Sequence, residues 1–251
     1  MNVVQILFSP TGGTKKAADI LAADWGGAAK IIDLTDPRED FSRFSLSPDD
    51  LALIALPPYE GRVPSPAAAR LAQVKGNGAP CVLLCVFGNR AFDDTLAEMQ
   101  DLAQAAGFQP AAALAAAAQH SILGQYGAGR PDDQDARQLR EFAGRIAEKL
   151  ESGRLSPLSL PGGRPYRQTK GLPMRPKTGE NCSHCGLCAR QCPVQAISAQ
   201  MQTDRETCIV CMRCVAQCPA RARQIGAFWF SAANLLMKKK LSGRKENQLF
   251  L

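Results

Sequence analysis

The sequence predicts an α/β protein: a doubly wound parallel sheet, followed by a small α+β domain organised by cysteine. Three observations predict it. Apolar runs alternate with helical stretches through residues 1–150. Eight of the ten cysteines crowd into the 37 residues from Cys182 to Cys218. The charge also changes sign: residues 1–150 carry 14 Lys/Arg against 18 Asp/Glu, and residues 151–251 carry 16 against 5. The net charges of −4 and +11 mark two different objects.

The elements follow in order. Residues 3–8 form a near-continuous apolar run, as a strand buried on both faces requires. Runs at 31–34, 51–56 and 81–87 read the same way. Residues 109–118 make a weaker fifth strand, because alanine does not separate strand from helix. Between them, 15–24, 66–74, 93–106 and 131–150 read as helices. The last opens with Pro131 and three nearby aspartates, a good helix start. Strand–helix alternation at this spacing gives a parallel sheet covered on both faces. Ligands then bind beyond the carboxyl ends of the strands. Cys81 and Cys85 share one face of the fourth strand and read as small buried hydrophobes.

A chain of 251 residues accommodates two domains, and 45% hydrophobic with 21% charged residues excludes wholesale disorder. No run of about 18 strongly apolar residues predicts a membrane-spanning helix. The N-terminal residues lack a signal-peptide layout, so a cytoplasmic protein is expected. In that compartment clustered cysteines bind metal rather than form disulfides.

The cysteines repeat. Cys182, Cys185, Cys188 and Cys192-Pro193 have the same spacing as Cys208, Cys211, Cys214 and Cys218-Pro219, 26 residues later. Three thiolates separated by two residues each can curl round one iron–sulfur cube. A fourth from the same tight loop would strain it. Zinc prefers two separated Cys-x2-Cys pairs. Residues 181–226 thus resemble a bacterial two-cluster ferredoxin. The resemblance implies crossed ligation of two 4Fe-4S clusters: Cys182, Cys185 and Cys188 with Cys218, and Cys208, Cys211 and Cys214 with Cys192. His184, inside the first loop, is not needed as a ligand.

The loop after the first strand reads Ser9-Pro10-Thr11-Gly12-Gly13-Thr14. Its glycines and hydroxyls at a helix start suit an anion. A capped helix start, with Thr14 as N-cap, is the plainer alternative. The loop resembles the flavodoxin phosphate loop, Ser/Thr-x-Thr-Gly-x-Thr, at every defined position. That resemblance implies strand order 2-1-3-4-5 and bound FMN. It implies phosphate held by Ser9, Thr11, Gly12, Gly13 and Thr14. It sets Pro58, Tyr59 and Gly61 against the flavin ring, with Tyr59 the aromatic partner. Gly88 and Asn89 turn around the pyrimidine edge, and Arg90 faces the charge that develops near N1. Phe92 reads as a helix anchor, and His120 as a structural hydrogen-bonding residue. No catalytic residue is singled out.

The expected organisation is a flavin domain at 1–151, a Pro/Gly/Arg-rich linker or wrap at 152–180, a ferredoxin domain at 181–226 and a basic amphipathic tail at 227–251. The tail is expected to dock back on one of the domains. Its short apolar stretch argues against a peripheral membrane contact, and no module suggests nucleic acid. The whole chain resembles the flavodoxin–ferredoxin fusions of anaerobic bacteria and archaea. The implied function is electron transfer between redox partner proteins, the clusters and FMN. The alternatives are a flavin reductase of a small substrate, and a ferredoxin whose flavodoxin-like domain docks a partner without FMN.

Overall fold

The structure, a computed structural model, describes residues 2–153 and 157–251. Five parallel strands, β1 (Asn2–Leu7), β2 (Lys30–Asp33), β3 (Asp50–Leu56), β4 (Pro80–Phe87) and β5 (Gln109–Ala117), lie in the order 2-1-3-4-5. Four helices cover them: α1 (Gly13–Ala23), α2 (Ser65–Leu71), α3 (Thr95–Ala105) and α4 (Asp133–Glu151). This is the doubly wound, flavodoxin-like arrangement that the sequence predicts.

Successive side chains of a strand point to opposite faces, and here both faces are dry. Ile6, Ile54, Leu83 and Ala115 join α2 and α3 in one core. Leu7, Leu53, Leu84 and Leu114 join α1 and α4 in the other. The alanines of β5 are strand, every one from Ala111 to Ala117 fully buried. Their small side chains let the helices approach a central strand closely. Cys81 and Cys85 are buried free thiols in the first core, and burial raises both above an ordinary thiol.

Two expectations are corrected. Thr14 is not the N-cap of α1: it lies inside the first turn, and Gly12 occupies the cap with φ 90° and no side-chain bond. Ser9 does the capping, its Oγ accepting the Lys15 amide at 2.9 Å. The tail is not an amphipathic helix. Its helix α7 (Ala227–Leu241) is apolar around much of its circumference, and β8 (Gln248–Phe250) follows. Strand β8 pairs antiparallel with β5 and becomes the sixth strand of the sheet.

The segment before the second domain wraps along α3. Arg164 pairs with Asp101, the amides of Gly163 and Arg167 donate to Asp94, and Leu158 enters the core. The second domain is small. Strands β6 (Lys177–Thr178) and β7 (Arg223–Gln224) pair, and short helices α5 (Leu187–Arg190) and α6 (Arg213–Ala216) follow the two cysteine loops.

A buried network fastens the C-terminal residues to α4. Asp135 accepts Arg130 at 2.6 and 2.9 Å, Asn247 at 3.0 Å and Arg244 at 2.9 Å. Burial alone would raise the Asp135 carboxyl; its donors, Arg130 first, hold it below the usual carboxylate range. Replacing Asp135 with Ala strands the buried Arg130 guanidinium. The expected loss of stability is about 3–5 kcal/mol, measured by anaerobic denaturation of the full chain. A loss under about 1 kcal/mol would show that the network is not structural.

Candidate functional site

At the carboxyl ends of the strands the connecting loops surround a cleft of about 250 Å3. The loop after β1 contributes Thr11, Gly13 and Thr14; that after β3 contributes Pro58, Tyr59 and Gly61; that after β4 contributes Gly88 and Arg90; that after β5 contributes His120 and Ile122. Eight of the eleven loop residues singled out in the sequence lie along it; Ser9, Gly12 and Asn89 do not.

The first loop is built to receive an anion. Among the described residues, the amides of Thr11, Gly12, Gly13 and Thr14 meet no protein acceptor. Consecutive unpaired N–H groups at a helix N-terminus carry the positive end of its dipole. Ser9 does not line the cleft; its amide donates to Thr35 Oγ1 and its hydroxyl holds Lys15, so it braces the loop. Gly12, the cap of α1, does not line the cleft either.

Tyr59 sits on a tight turn, exchanging backbone bonds with Arg62 at 2.8 and 3.1 Å through left-handed Glu60 and Gly61. Its ring packs edge-on against Phe8, with centroids 6.4 Å apart. Burial, and then the neighbouring Cys211 and Cys208, push its hydroxyl well above the ordinary value. A flavodoxin-like loop aromatic therefore lies beside the second cysteine loop. Gly88 is required for space: a Cβ there would come within 3.0 Å of the His120 backbone.

The residues that follow β4 and β5 divide between the cleft and the rest of the fold. Asn89 does not face the cleft; its side-chain amide donates to the carbonyls of Leu241 and Gly243 and so holds the tail. Arg90 lines the cleft but is engaged by Asp93. Phe92 packs on Phe87 and the core, as a helix anchor does. His120 Nδ1 accepts the amides of Ile122 and Leu123, each at 3.1 Å. Burial, then Arg90, lowers its pKa to about 4, so the ring is neutral at physiological pH.

The second domain closes the cleft. Ile209 and Val210, lying between Cys208 and Cys211, line it, and Leu172, Met174, Ala233 and Met237 join them. Met174, Val210 and Met212 are buried together against Ile122. Ile209 packs on the first-domain core. Two arginines reinforce the junction: Arg70 donates to the Pro193 carbonyl at 2.5 Å, and Arg213 approaches the Pro10 carbonyl at 3.5 Å. Sequence reasoning missed both, because their partners lie more than a hundred residues away.

Below Ile209, Cys192, Cys208, Cys211 and Cys214 ring a small cavity. Among the described residues no three candidate ligands converge at the distances a single ion needs. Burial raises the Cys208, Cys211 and Cys214 thiols, that of Cys211 to about 12, and the charge of Cys192 raises each of the three further. Four buried or half-buried thiols around one cavity suit a polynuclear cationic centre that would keep them ionised. Burial, and to a lesser degree Cys182, raise the Cys188 thiol, and Cys185 is exposed. The repeat extends to the backbone. Positive φ occurs at His184 and Val210, at Gly186 and Met212, and at Gln195 and Arg221, each pair 26 positions apart. Ala196 and Ala222, again 26 apart, donate their amides to Cys192 and Cys218 at 3.3 and 3.2 Å. Buried Arg223 lies between the groups, lowering Cys188 on one side and Cys208 and Cys214 on the other.

The 4Fe-4S binding domain family matches at 179–198 and again at 201–224. Residues 179–224 are a 4Fe-4S binding domain. Among curated proteins none matches the chain. Among solved structures, a flavodoxin from Streptococcus pneumoniae TIGR4 is 20% identical over 59% of this chain and 99% of its own, with TM-score 0.40. A flavodoxin from the domain Archaea is 12% identical over 60% of this chain and 99% of its own, with TM-score 0.41. The rubredoxin oxygen:oxidoreductase of Desulfovibrio gigas is 18% identical over 60% of this chain and 36% of its own, with TM-score 0.43. The flavodoxin-like assignment of the first domain rests on its strand order rather than on these scores. A 4Fe-4S domain seated on such a sheet points to electron transfer. No helix among the described residues is long and apolar enough to cross a membrane.

The half-buried His120 carries a pH signature. Between about pH 4 and 6.5 the unfolded chain takes up a proton that the native ring refuses, so stability rises with pH across that window. His120→Asn keeps an acceptor and removes the proton site. Thermal midpoints of the wild type are expected to climb more steeply over this range than those of the variant. Parallel slopes would show that His120 titrates normally.

Proposed function

We propose that the protein is an electron carrier that holds two 4Fe-4S clusters and one FMN. One observation carries the reading: the turn containing Ile209 and Val210 lines the cleft while its ends, Cys208 and Cys211, face a cluster cavity. When bound, the clusters exchange single electrons and the flavin one or two.

The chain's own residues define the two kinds of site. Cys192, Cys208, Cys211 and Cys214 hold the cluster next to the cleft, and Cys182, Cys185, Cys188 and Cys218 hold the outer one. Arg223 supplies a buried positive charge between two anionic centres. The free amides of Thr11, Gly13 and Thr14 receive the flavin phosphate, and Arg213 adds the cationic charge that the loop itself lacks. Pro58, Tyr59, Gly61, Gly88 and Arg90 shape the ring site. Ile209, Val210 and Met174 exclude water from it. A neutral His120 with its Nδ1 already engaged offers only Nε2 to a ligand. Exposed Cys185 makes the outer group accessible to a redox partner protein, in a chain expected to work in the cytoplasm.

The test is an anaerobic cofactor inventory. Reconstituted wild type should hold about eight irons, about eight sulfides and about one acid-released FMN. Cys192→Ala and Cys185→Ala should each keep about four irons and the flavin. About four irons in the wild type would overturn the two-cluster reading. Flavin absent and not taken up on titration would overturn the FMN reading and leave a ferredoxin with a ligand-free docking domain.

A further inference from the structure

Helix α7 has two faces with different fates. Its inner face serves the fold. Ala233 and Met237 line the cleft, Asn234 Oδ1 accepts Tyr126 Oη at 2.7 Å and Gln125 Nε2 at 2.9 Å, and Leu241 is buried. The outer face serves nothing in the chain. Phe228, Leu235 and Leu236 are 75%, 80% and 76% exposed, and Trp229 stands beside Phe228 with ring centroids 5.4 Å apart. At 100° per residue these four lie within about a third of the helix circumference, one continuous apolar stripe. The stripe ends in Lys238, Lys239 and Lys240, all exposed.

We propose that this stripe docks the protein on an anionic phospholipid surface. The helix has 15 residues, enough to lie in the interface and too few to cross it. Phe, Trp and Leu bury in the headgroup–acyl boundary, where aromatic rings favour the interface. Lysines at one end meet lipid phosphates, whose negative surface potential attracts them. Charge complementarity favours this occupant over a second copy of the chain. The helix has no acidic residue, so pairing two stripes would leave six lysines without counter-charge. The same helix roofs the cleft, so the lipid surface would lie close to the site.

The test is anaerobic flotation of the full-length, cofactor-loaded protein with vesicles. The probes are phosphatidylcholine alone and phosphatidylcholine mixed with phosphatidylglycerol. The wild type should float with the mixed vesicles and not with the neutral ones, and added salt should weaken binding. K238Q/K239Q/K240Q should weaken it roughly a hundredfold at low salt. L235S/L236S should abolish it. Both variants should retain the visible absorption of the wild type, because these side chains are exposed and none lines the cleft. No flotation with mixed vesicles would overturn the proposal, as would equal flotation of L235S/L236S. A wild-type dimer that L235S/L236S dissociates, without vesicle binding, would also overturn it and assign the stripe to a second copy.

Discussion

Ile209 and Val210 cannot be buried without carrying Cys208 and Cys211 with them. The two residues are apolar, and they pack at the carboxyl edge of the sheet, next to Tyr59, Ile122 and Met174. Removing that area from water is worth about 25 cal/mol per Å2. The same burial fixes the depth of the cleft, the position of the nearer cysteine group and the placement of Met212 and Arg213. A ferredoxin-sized domain has little core of its own. Here it borrows part of the sheet's core, and metal binding would supply the rest of its folding energy.

Charge arranges what apolar burial cannot. The acidic first half and basic second half meet as specific pairs rather than as diffuse attraction. Arg164 reaches Asp101, Arg167 reaches Asp93, and Arg244 reaches Asp132 and Asp135. The exposed pairs are individually weak and screened by salt. The Arg130–Asp135 pair is different, because both members are dry and each depends on the other. Arg213 and Arg223 use charge in a third way. Each brings a cation to a place that would hold anions, the phosphate loop and the space between the cysteine groups.

How legible this was in the sequence depends on the range of the interactions. The five parallel strands were readable because burial on both faces leaves an apolar run with no competing signal. The alanines of β5 were ambiguous alone; they become strand because they must fit under α3 and α4. The 26-residue repeat was readable down to backbone conformation, since identical ligand spacing demands identical turns. Strand β8 was not readable. Three residues, Gln248 to Phe250, carry no period, and their partner is β5, more than a hundred residues earlier. Helix α7 was misread as amphipathic because its apolar residues serve two faces, one packed and one exposed. Within the site, Thr11, Gly13, Thr14, Pro58, Tyr59, Gly61, Gly88 and Arg90, which the resemblance to flavodoxins implied, all lie along the cleft. Asn89 was misassigned because the tail that uses its amide lies about 150 residues away.

The account depends on one juxtaposition, a metal cluster and a flavin on opposite sides of the turn that holds Ile209 and Val210. Anaerobic crystals of the reconstituted protein, with anomalous scattering recorded at the iron edge, test it most directly. The account predicts an iron cluster ringed by Cys192, Cys208, Cys211 and Cys214, and FMN in the cleft with its phosphate on the amides of Thr11, Gly13 and Thr14. Iron bound outside those cysteines would contradict it, as would a flavin ring turned away from Tyr59 and Val210.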